Sequence, residues 1–182
     1  MSNVKYVVLD LETTGLDPKV DHILEVGAIA VTEALEEVSR FHTVITFGRA
    51  GIERASDFVQ SMHTVNSLWD ECAVSTVSES DADDALTQWL LGLDATPKSV
   101  ILMGNSVHFD HGFLAQRFPL SAVLLSHRVM DVGGLGRWLA DFGYPIEKAA
   151  KMPHRSIPDC EIELDEARKM RATLITSPEE KV

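Results

Sequence analysis

Two acidic residues end an apolar run near the beginning of the chain and have the spacing of a metal site. Residues 7–9 are apolar, and Asp10 and Glu12 follow with one residue between them. Successive side chains of a strand point to opposite faces, so both carboxylates would stand on one face at the end of a buried strand. Like charges held there repel, and a divalent cation would relieve the repulsion; oxygen ligands favour Mg²⁺ or Mn²⁺. The alternative is two solvated acids at a strand end.

Three residues further along the chain could complete such a site. Asp110 stands where a helix is expected to begin, so it is either an N-cap or a third carboxylate facing the first strand. Asp159 could form a capping box with Ser156 at the start of the last predicted helix, or it could be a fourth carboxylate. His154, five positions before Asp159, has the residue type of a general base near neutral pH, although the chain has seven histidines.

The hydrophobic pattern predicts an α/β fold with a mixed sheet. The predicted strands cover residues 5–12, 22–32, 40–47, 99–103 and 128–131, and the first three form an antiparallel meander. The predicted helices cover residues 64–73, 80–91, 110–117, 135–142 and 157–173. Residues 48–61 are expected to be irregular, and Pro119 is expected to stop a helix. Ligands of such sheets collect at the carboxyl ends of central strands, where the first strand carries Asp10 and Glu12.

Length and composition limit the classes of function. A chain of 182 residues with 45% hydrophobic and 24% charged residues predicts a single domain over 1–176 and a short tail at 177–182. The net charge of −12 argues against a long contact with duplex DNA, but it permits a short nucleic acid held by metal ions. We expect the acidic runs at 79–84 and 161–166 to be solvated helix faces or helix starts.

Cysteine content and the apolar segments predict the compartment. No apolar run reaches the length of a membrane span, and no signal peptide precedes the first predicted strand. Cys72 and Cys160 have no metal-binding spacing and are typical of structural thiols in a reducing environment. The sequence therefore predicts a cytoplasmic protein without a membrane partner.

Three motifs give the chain a resemblance to a known family. The motifs are Asp-x-Glu-Thr-Thr-Gly at 10–15, Asn-x-x-x-x-Asp at 105–110 and His-x-x-x-x-Asp at 154–159. Together they resemble the signature of the DEDDh 3′-to-5′ exonucleases. The resemblance implies a ribonuclease H-like fold, a mixed five-stranded sheet flanked by helices. It also implies that Asp10, Glu12, Asp110 and Asp159 hold two Mg²⁺ or Mn²⁺ ions per active site, with His154 as the general base.

Further segments are similar to the oligoribonuclease subfamily, which degrades very short RNAs to mononucleotides. The similarity extends over most of residues 4–173 and is carried by 63–68, 104–106, 113–119 and 127–132. In that subfamily a leucine after the first motif wedges between bases, and a polar cap grips the 5′ phosphate. The residues of this chain that we expect to contact the substrate are Thr13, Leu16, His63, Asn105, Ser106 and Arg128. The chain departs from the subfamily at Gly133, where a serine is usual, and at His127, where a tyrosine is usual.

The resemblance implies hydrolysis of short single-stranded RNA from its 3′ end to nucleoside 5′-monophosphates. One alternative is a broader DEDDh exonuclease that proofreads or trims single-stranded DNA 3′ ends. Two functions without catalysis also stay open: a nucleic-acid or protein-binding module that kept the fold but does not cleave, and a generic metal-binding or purely structural domain. The homodimer of the subfamily is left open by the change at His127.

Overall fold

The computed structural model describes residues 4–53, 55–144, 147 and 152–175, which form a sheet covered by helices. The strands are β1 (Tyr6–Thr13), β2 (Ile23–Val31), β3 (Glu37–Val44), β4 (Val100–Gly104) and β5 (Leu125–Asp131). The helices are α1 (Arg49–Ile52), α2 (Asp57–Val65), α3 (Leu68–Val74), α4 (Glu79–Gly92), α5 (His108–Arg117), α6 (Pro119–Ala122), α7 (Val132–Asp141) and α8 (Ser156–Ile175).

The sheet has five strands in the order β3-β2-β1-β4-β5. β1, β2 and β3 pair antiparallel, whereas β4 pairs parallel with both β1 and β5. The predicted meander and the predicted mixed sheet are therefore confirmed. Because β1 is central and adjacent to β4, the loops that leave these two strands meet at one edge of the sheet.

A separate hydrophobic core covers each face of the sheet. The side chains of β1 alternate between the two faces, and this alternation decides which face Asp10 and Glu12 share. Val7 and Leu9 pack in a core that includes residues of α4 and α5. Val8 packs on the opposite face, against residues of α7 and α8. With a period of two, Asp10 and Glu12 share the face of Val8. The first two acids of the site therefore face the side of the sheet that α8 covers.

The segment between β3 and α4 differs most from the prediction. Residues 48–61 are not irregular, because α1 and most of α2 lie there, and Ser56 caps α2 by accepting a hydrogen bond from the Val59 N–H. The single helix predicted over 64–73 is also wrong. α2 ends at Val65, Ser67 has a left-handed backbone with φ of 63°, and α3 begins at Leu68. The break matters because the side chain of Asn66, between the two helices, donates a hydrogen bond to the carbonyl of His154.

Smaller differences concern helix ends. α5 ends at Arg117, two residues before Pro119, as predicted; Pro119 in addition opens the short helix α6, as a proline can in a first turn. The predicted helix over 135–142 would place Trp138, Leu139 and Phe142 on a core face; in the structure Leu139 is buried, whereas Trp138 and Phe142 are mostly exposed. The predicted tail at 177–182 lies outside the described residues. Within the described ranges, no helix has the length and apolar character needed to cross a membrane.

Candidate active site

Asp110 joins the acids of β1 through a direct contact. α5 begins at His108 with Val107 before it, so Asp110 lies in the first turn, and its interpretation as the N-cap is wrong. Its Oδ1 accepts a hydrogen bond from the backbone N–H of Leu11 at 3.1 Å. That bond fixes the third carboxylate beside β1, between the positions of Asp10 and Glu12. Burial raises the pKa of Asp110 to about 7, against the opposing effect of the backbone hydrogen bonds.

His154 and Asp159 reach the same place from the beginning of α8. One ligand atom each of Glu12, His154 and Asp159 lie within 4.8 Å of one another. The backbone of His154 is left-handed, with φ of 56°, and its carbonyl accepts a hydrogen bond from Asn66 Nδ2. The junction between α2 and α3 therefore helps to hold the loop that presents the imidazole.

The predicted capping box at the start of α8 is not formed. Ser156 is the first residue of the helix rather than its N-cap. Its Oγ is buried and has no hydrogen-bond partner among the described residues. The carboxylate of Asp159 is buried, and Oδ1 likewise has no partner in the described part of the chain. Oδ1 of Asp159 is thus available to a ligand of the site.

The electrostatics of the cluster call for a positive ligand. Burial, followed by the charges of Asp110 and Glu12, raises the pKa of Asp10 well above its ordinary value. Burial and the charges of Asp159 and Glu25 raise the pKa of Glu12 to about 9. Asp10 Oδ2 is buried without a partner among the described residues. Buried carboxylate oxygens in such surroundings are costly unless a cation or proton joins them. An oxygen-rich donor set of this kind fits a hard divalent cation such as Mg²⁺ or Mn²⁺.

A buried ion pair that the sequence interpretation missed anchors the loop before α8. Arg155 donates to both Oε1 and Oε2 of Glu25, at 2.8 to 3.2 Å, and also to Glu71 at 2.7 Å. Glu25 is only 1% exposed and also accepts from His42 and from the Ser156 N–H. With Lys148 and Lys151, Arg155 would form a small basic cluster in the sequence, but both lysines lie outside the described residues. The guanidinium of Arg155 is bound within the fold by Glu25 and Glu71, so it is not free to bind a phosphate.

Two more acids of α8 also differ from expectation. The run at 161–166 was expected to be solvated, yet Glu163 and Glu166 are buried. Glu163 Oε1 accepts from the Asn105 N–H at 2.9 Å, and Glu166 Oε2 lies 3.4 Å from Asn105 Nδ2. The signal that could have found Glu163 is its spacing of four from Asp159, which puts both on one helix face.

A cleft of about 560 Å³ opens beside the acids. Its lining includes Glu12, Thr13 and His154, together with the apolar side chains of Leu16 and Phe58. Leu16 is 82% exposed, so its side chain is available to a ligand. The Thr13 hydroxyl donates to the Gly15 carbonyl at 2.7 Å, which shapes the turn after β1. Thr13 and Leu16 are thus placed where a substrate could meet them.

The other expected substrate contacts lie in different surroundings. His63 is fully buried, with Nε2 3.7 Å from Glu12 Oε2, and burial lowers its pKa. Ser106 and Arg128 are exposed, and neither is among the described residues that line the cleft. Asn105 follows β4, and a Cβ at Gly133 would come within 2.9 Å of its Oδ1. A serine at position 133 would therefore press on Asn105.

Comparison with known proteins agrees with this geometry. The sequence profile of the RNase_T exonuclease family matches residues 7–167. The chain is 30% identical to an oligoribonuclease of Nocardia farcinica, over 98% of this chain and 84% of that protein. It is 31% identical to an oligoribonuclease of Streptomyces avermitilis, over 94% of this chain and 88% of that protein. It is 28% identical to an oligoribonuclease of Arabidopsis thaliana, over 92% and 77%.

Solved structures share the fold at low sequence identity. Pop2p of S. pombe, in its Mg²⁺- and Mn²⁺-bound form, matches with a TM-score of 0.67 and 10% identity, over 93% of this chain and 83% of that one. E. coli exonuclease I in complex with a dA16 oligonucleotide matches with a TM-score of 0.64 and 13% identity, over 92% and 40%. The chain thus spans well under half of exonuclease I. From the family profile and the sequence relatives, we conclude that this chain belongs to the RNase_T exonuclease family, as a metal-dependent DEDDh 3′-to-5′ exonuclease similar to oligoribonucleases.

Proposed function

We propose that this exonuclease hydrolyses short oligoribonucleotides from the 3′ end and releases nucleoside 5′-monophosphates. The observation that carries the proposal is the convergence of Glu12, His154 and Asp159 within 4.8 Å, at the edge of an open cleft. Asp10 and Asp110 extend the cluster on the same face of β1. The similarity to oligoribonucleases, which covers nearly the whole chain, supports short RNA as the substrate.

In this proposal the acids hold two divalent cations. Asp10, Glu12 and Asp159 would bind one, and Asp10 together with Asp110 would bind the other. Such cations, when bound, stabilise charge on the attacking and departing oxygens and make water a better nucleophile. The unpartnered oxygens of Asp10 and Asp159 support this assignment, because they are buried where a cation would satisfy them.

His154 would act as the general base of the reaction. One ring nitrogen would accept a proton from the attacking water, the new bond would form between that water oxygen and phosphorus, and the bond from phosphorus to the 3′ oxygen would break. The departing 3′ oxygen would take a proton from solvent, so that the shortened chain keeps a 3′ hydroxyl and the released nucleotide a 5′ phosphate. The half-buried imidazole and the Asn66 contact at its carbonyl support a fixed orientation for this step.

The cleft suits the bases of a short substrate. Its walls include the apolar side chains of Leu16, Phe58, Met62 and Phe109, and stacking on such surfaces tolerates any base. Arg128 would meet a phosphate, since a guanidinium can donate two parallel hydrogen bonds to it. The net charge of −12 argues against a long basic track that would hold an extended nucleic-acid strand.

A length series tests the choice of substrate. RNAs of two to about ten nucleotides and DNAs of the same sequences would be incubated with Mn²⁺ or Mg²⁺, and initial rates would be compared. Faster cleavage of the shortest RNAs is expected. The second candidate is a broader exonuclease of single-stranded DNA, favoured by the fold shared with exonuclease I, which is solved with DNA oligonucleotides. Equal rates at every length, or faster cleavage of DNA, would favour that candidate.

We propose further that two copies of the chain pair through α7. Trp138 is 56% exposed, and its ring lies 4.8 Å, centroid to centroid, from that of Phe142, which is also exposed. Two adjacent exposed aromatic rings, one in α7 and one on the residue that caps its end, are typical of an interface. Light scattering after size exclusion should give the mass of a dimer for the wild type and of a monomer for Trp138→Glu. A monomeric wild type would contradict the proposal.

A further inference from the structure

Glu163 is a buried carboxylate beside the metal cluster that neither the sequence motifs nor the proposed mechanism uses. It lies one helical turn after Asp159 on α8, so the two side chains leave the same face of the helix. The residue is only 2% exposed. Burial is the main cause of the raised pKa of Asp10, and the charges of Asp110, Glu12 and Glu163 raise that pKa further. Glu163 therefore points toward the acids and not toward solvent.

The two oxygens of Glu163 have different surroundings. Oε1 accepts a hydrogen bond from the Asn105 N–H at 2.9 Å, which fixes the carboxylate at the end of β4. Oε2 is buried and has no hydrogen-bond partner among the described residues. Gly104 leaves the room for it, because a Cβ at that position would come within 3.1 Å of Oε2. The backbone after β4 thus closes around an oxygen that the described protein does not satisfy.

Glu25 is a buried glutamate with a structural role, and it has hydrogen-bond donors that Glu163 lacks among the described residues. It is as deeply buried as Glu163, but Arg155, His42 and the Ser156 N–H all donate to it. Among the described residues, no basic side chain pairs with Glu163. A buried charge without a partner is costly, so a carboxylate kept in this state is explained by a ligand that the protein binds.

We propose that Glu163 is a fifth carboxylate of the metal centre, with Oε2 helping to hold a divalent cation on the side of Asp10 and Asp110. The inference rests on the proposed function, because it adds a residue to the same cation site. It also links that site to Asn105, whose backbone N–H fixes Oε1 and whose side chain is an expected substrate contact. Glu163 would thereby couple cation binding to the position of the loop after β4.

The test is a Mn²⁺ titration of the full chain without substrate, by calorimetry and by electron paramagnetic resonance. Glu163→Gln keeps the shape and an acceptor for the Asn105 N–H, but it removes the charge at Oε2. We expect this variant to bind Mn²⁺ about 10- to 100-fold more weakly than the wild type. Glu166→Gln is the matched control, a buried acid of the same helix. It should weaken binding by about threefold or less, because its charge would act without touching the cation.

Thermal unfolding separates the inference from a structural role. In EDTA, Glu163→Gln should melt at the temperature of the wild type or above it, since it replaces a buried carboxyl group that no described basic side chain neutralises. The rise in melting temperature on adding Mn²⁺ should be smaller than in the wild type. Unchanged Mn²⁺ affinity, an equal loss in Glu166→Gln, or a Glu163→Gln variant that is unfolded in EDTA would overturn the inference. A wild type that binds no Mn²⁺ would instead overturn the proposed function.

Discussion

Glu12 and Glu25 lie directly opposite each other on β1 and β2, yet their carboxylates have contrasting surroundings. Burial alone would raise the pKa of Glu25, but hydrogen bonds from His42 and Arg155 outweigh it and lower the pKa to about 2. Among the described residues no such donor reaches Glu12, and burial with the charge of Asp159 raises its pKa to about 9. Residue type therefore does not separate a structural acid from a metal-binding one; the partners of each oxygen do.

The role of His154 is tested by its removal. His154→Ala should reduce kcat on short RNA by about 10²- to 10⁴-fold, the range of a lost general base, while KM changes little. His108→Ala is the control, because His108 is exposed at the start of α5. Steady-state kinetics with Mn²⁺, supported by circular dichroism of both variants, supply the measurement. Equal kcat values in wild type and His154→Ala would rule out the base.

Single residues also show where sequence interpretation stops. Asp10 and Glu12 could be predicted, because a strand with a period of two places them on one face. Glu163 and Arg155 were missed, because the first looks like part of a solvated acidic run and the second like a free cation. What decides both is a partner, or the lack of one, that is far away in sequence: Arg155 meets Glu25 across 130 positions.

Among the elements, α8 determines whether the site is assembled. Its first turn carries Asp159, its second carries Glu163, and the loop before it carries His154. The helix packs on β1, β2 and β4, and Gly27 of β2 allows the close approach, since a Cβ there would come within 2.7 Å of Ser156. The ion pair of Arg155 and Glu25 fixes this end of α8. At the sheet's exposed edge, Arg40 pairs with Glu161 of the same helix.

These two arginines provide a matched comparison. Arg155→Met should destabilise the protein by about 3 kcal/mol or more, because Glu25 would keep a buried charge without its main partner. Arg40→Met should cost about 1 kcal/mol or less, since both partners of that pair are exposed. Urea unfolding in EDTA measures both. Equal losses in the two variants would mean that the buried pair does not anchor the helix.

The elements were predicted well where burial sets a clear period and poorly where local backbone geometry decides. All five strands were found, although β3 and β5 each begin three residues before the predicted start. The separation of α2 from α3 was missed, because it depends on the left-handed Ser67 and on Asn66 Oδ1 accepting from the Leu68 N–H. Neither residue interrupts a helical pattern strongly enough to be recognised in advance.

At the scale of the whole molecule, the acids of the site make stability depend on pH and on metal. Burial raises the pKa of Glu12 to about 9 and that of Asp110 to about 7, above their ordinary values of 4.5 and 3.8. The folded metal-free protein therefore binds more protons than the unfolded chain over this interval, and its stability falls as pH rises through it. Glu25 acts in the opposite direction, and its contribution is lost between about pH 4.5 and 2.

The melting temperature of the metal-free protein should therefore fall between pH 5 and about pH 8.5. Added Mg²⁺ should reverse most of the fall, because a bound cation replaces the protons. Differential scanning calorimetry in EDTA and in Mg²⁺ at each pH gives the comparison, with Glu12→Gln as a variant expected to show a shallower fall. A melting temperature in EDTA that stays constant or rises over this interval would contradict the account.

The most direct test of the central claim follows the products of a short RNA labelled at its 5′ end. A labelled pentaribonucleotide would be incubated with Mn²⁺ and wild-type protein, with Asp159→Asn, and with wild-type protein in EDTA. The account predicts labelled products that shorten stepwise from the 3′ end with wild type and Mn²⁺, and intact RNA in the other two reactions. Intact RNA in all three, or a labelled mononucleotide as the first product, would contradict a metal-dependent 3′-to-5′ exonuclease at this site.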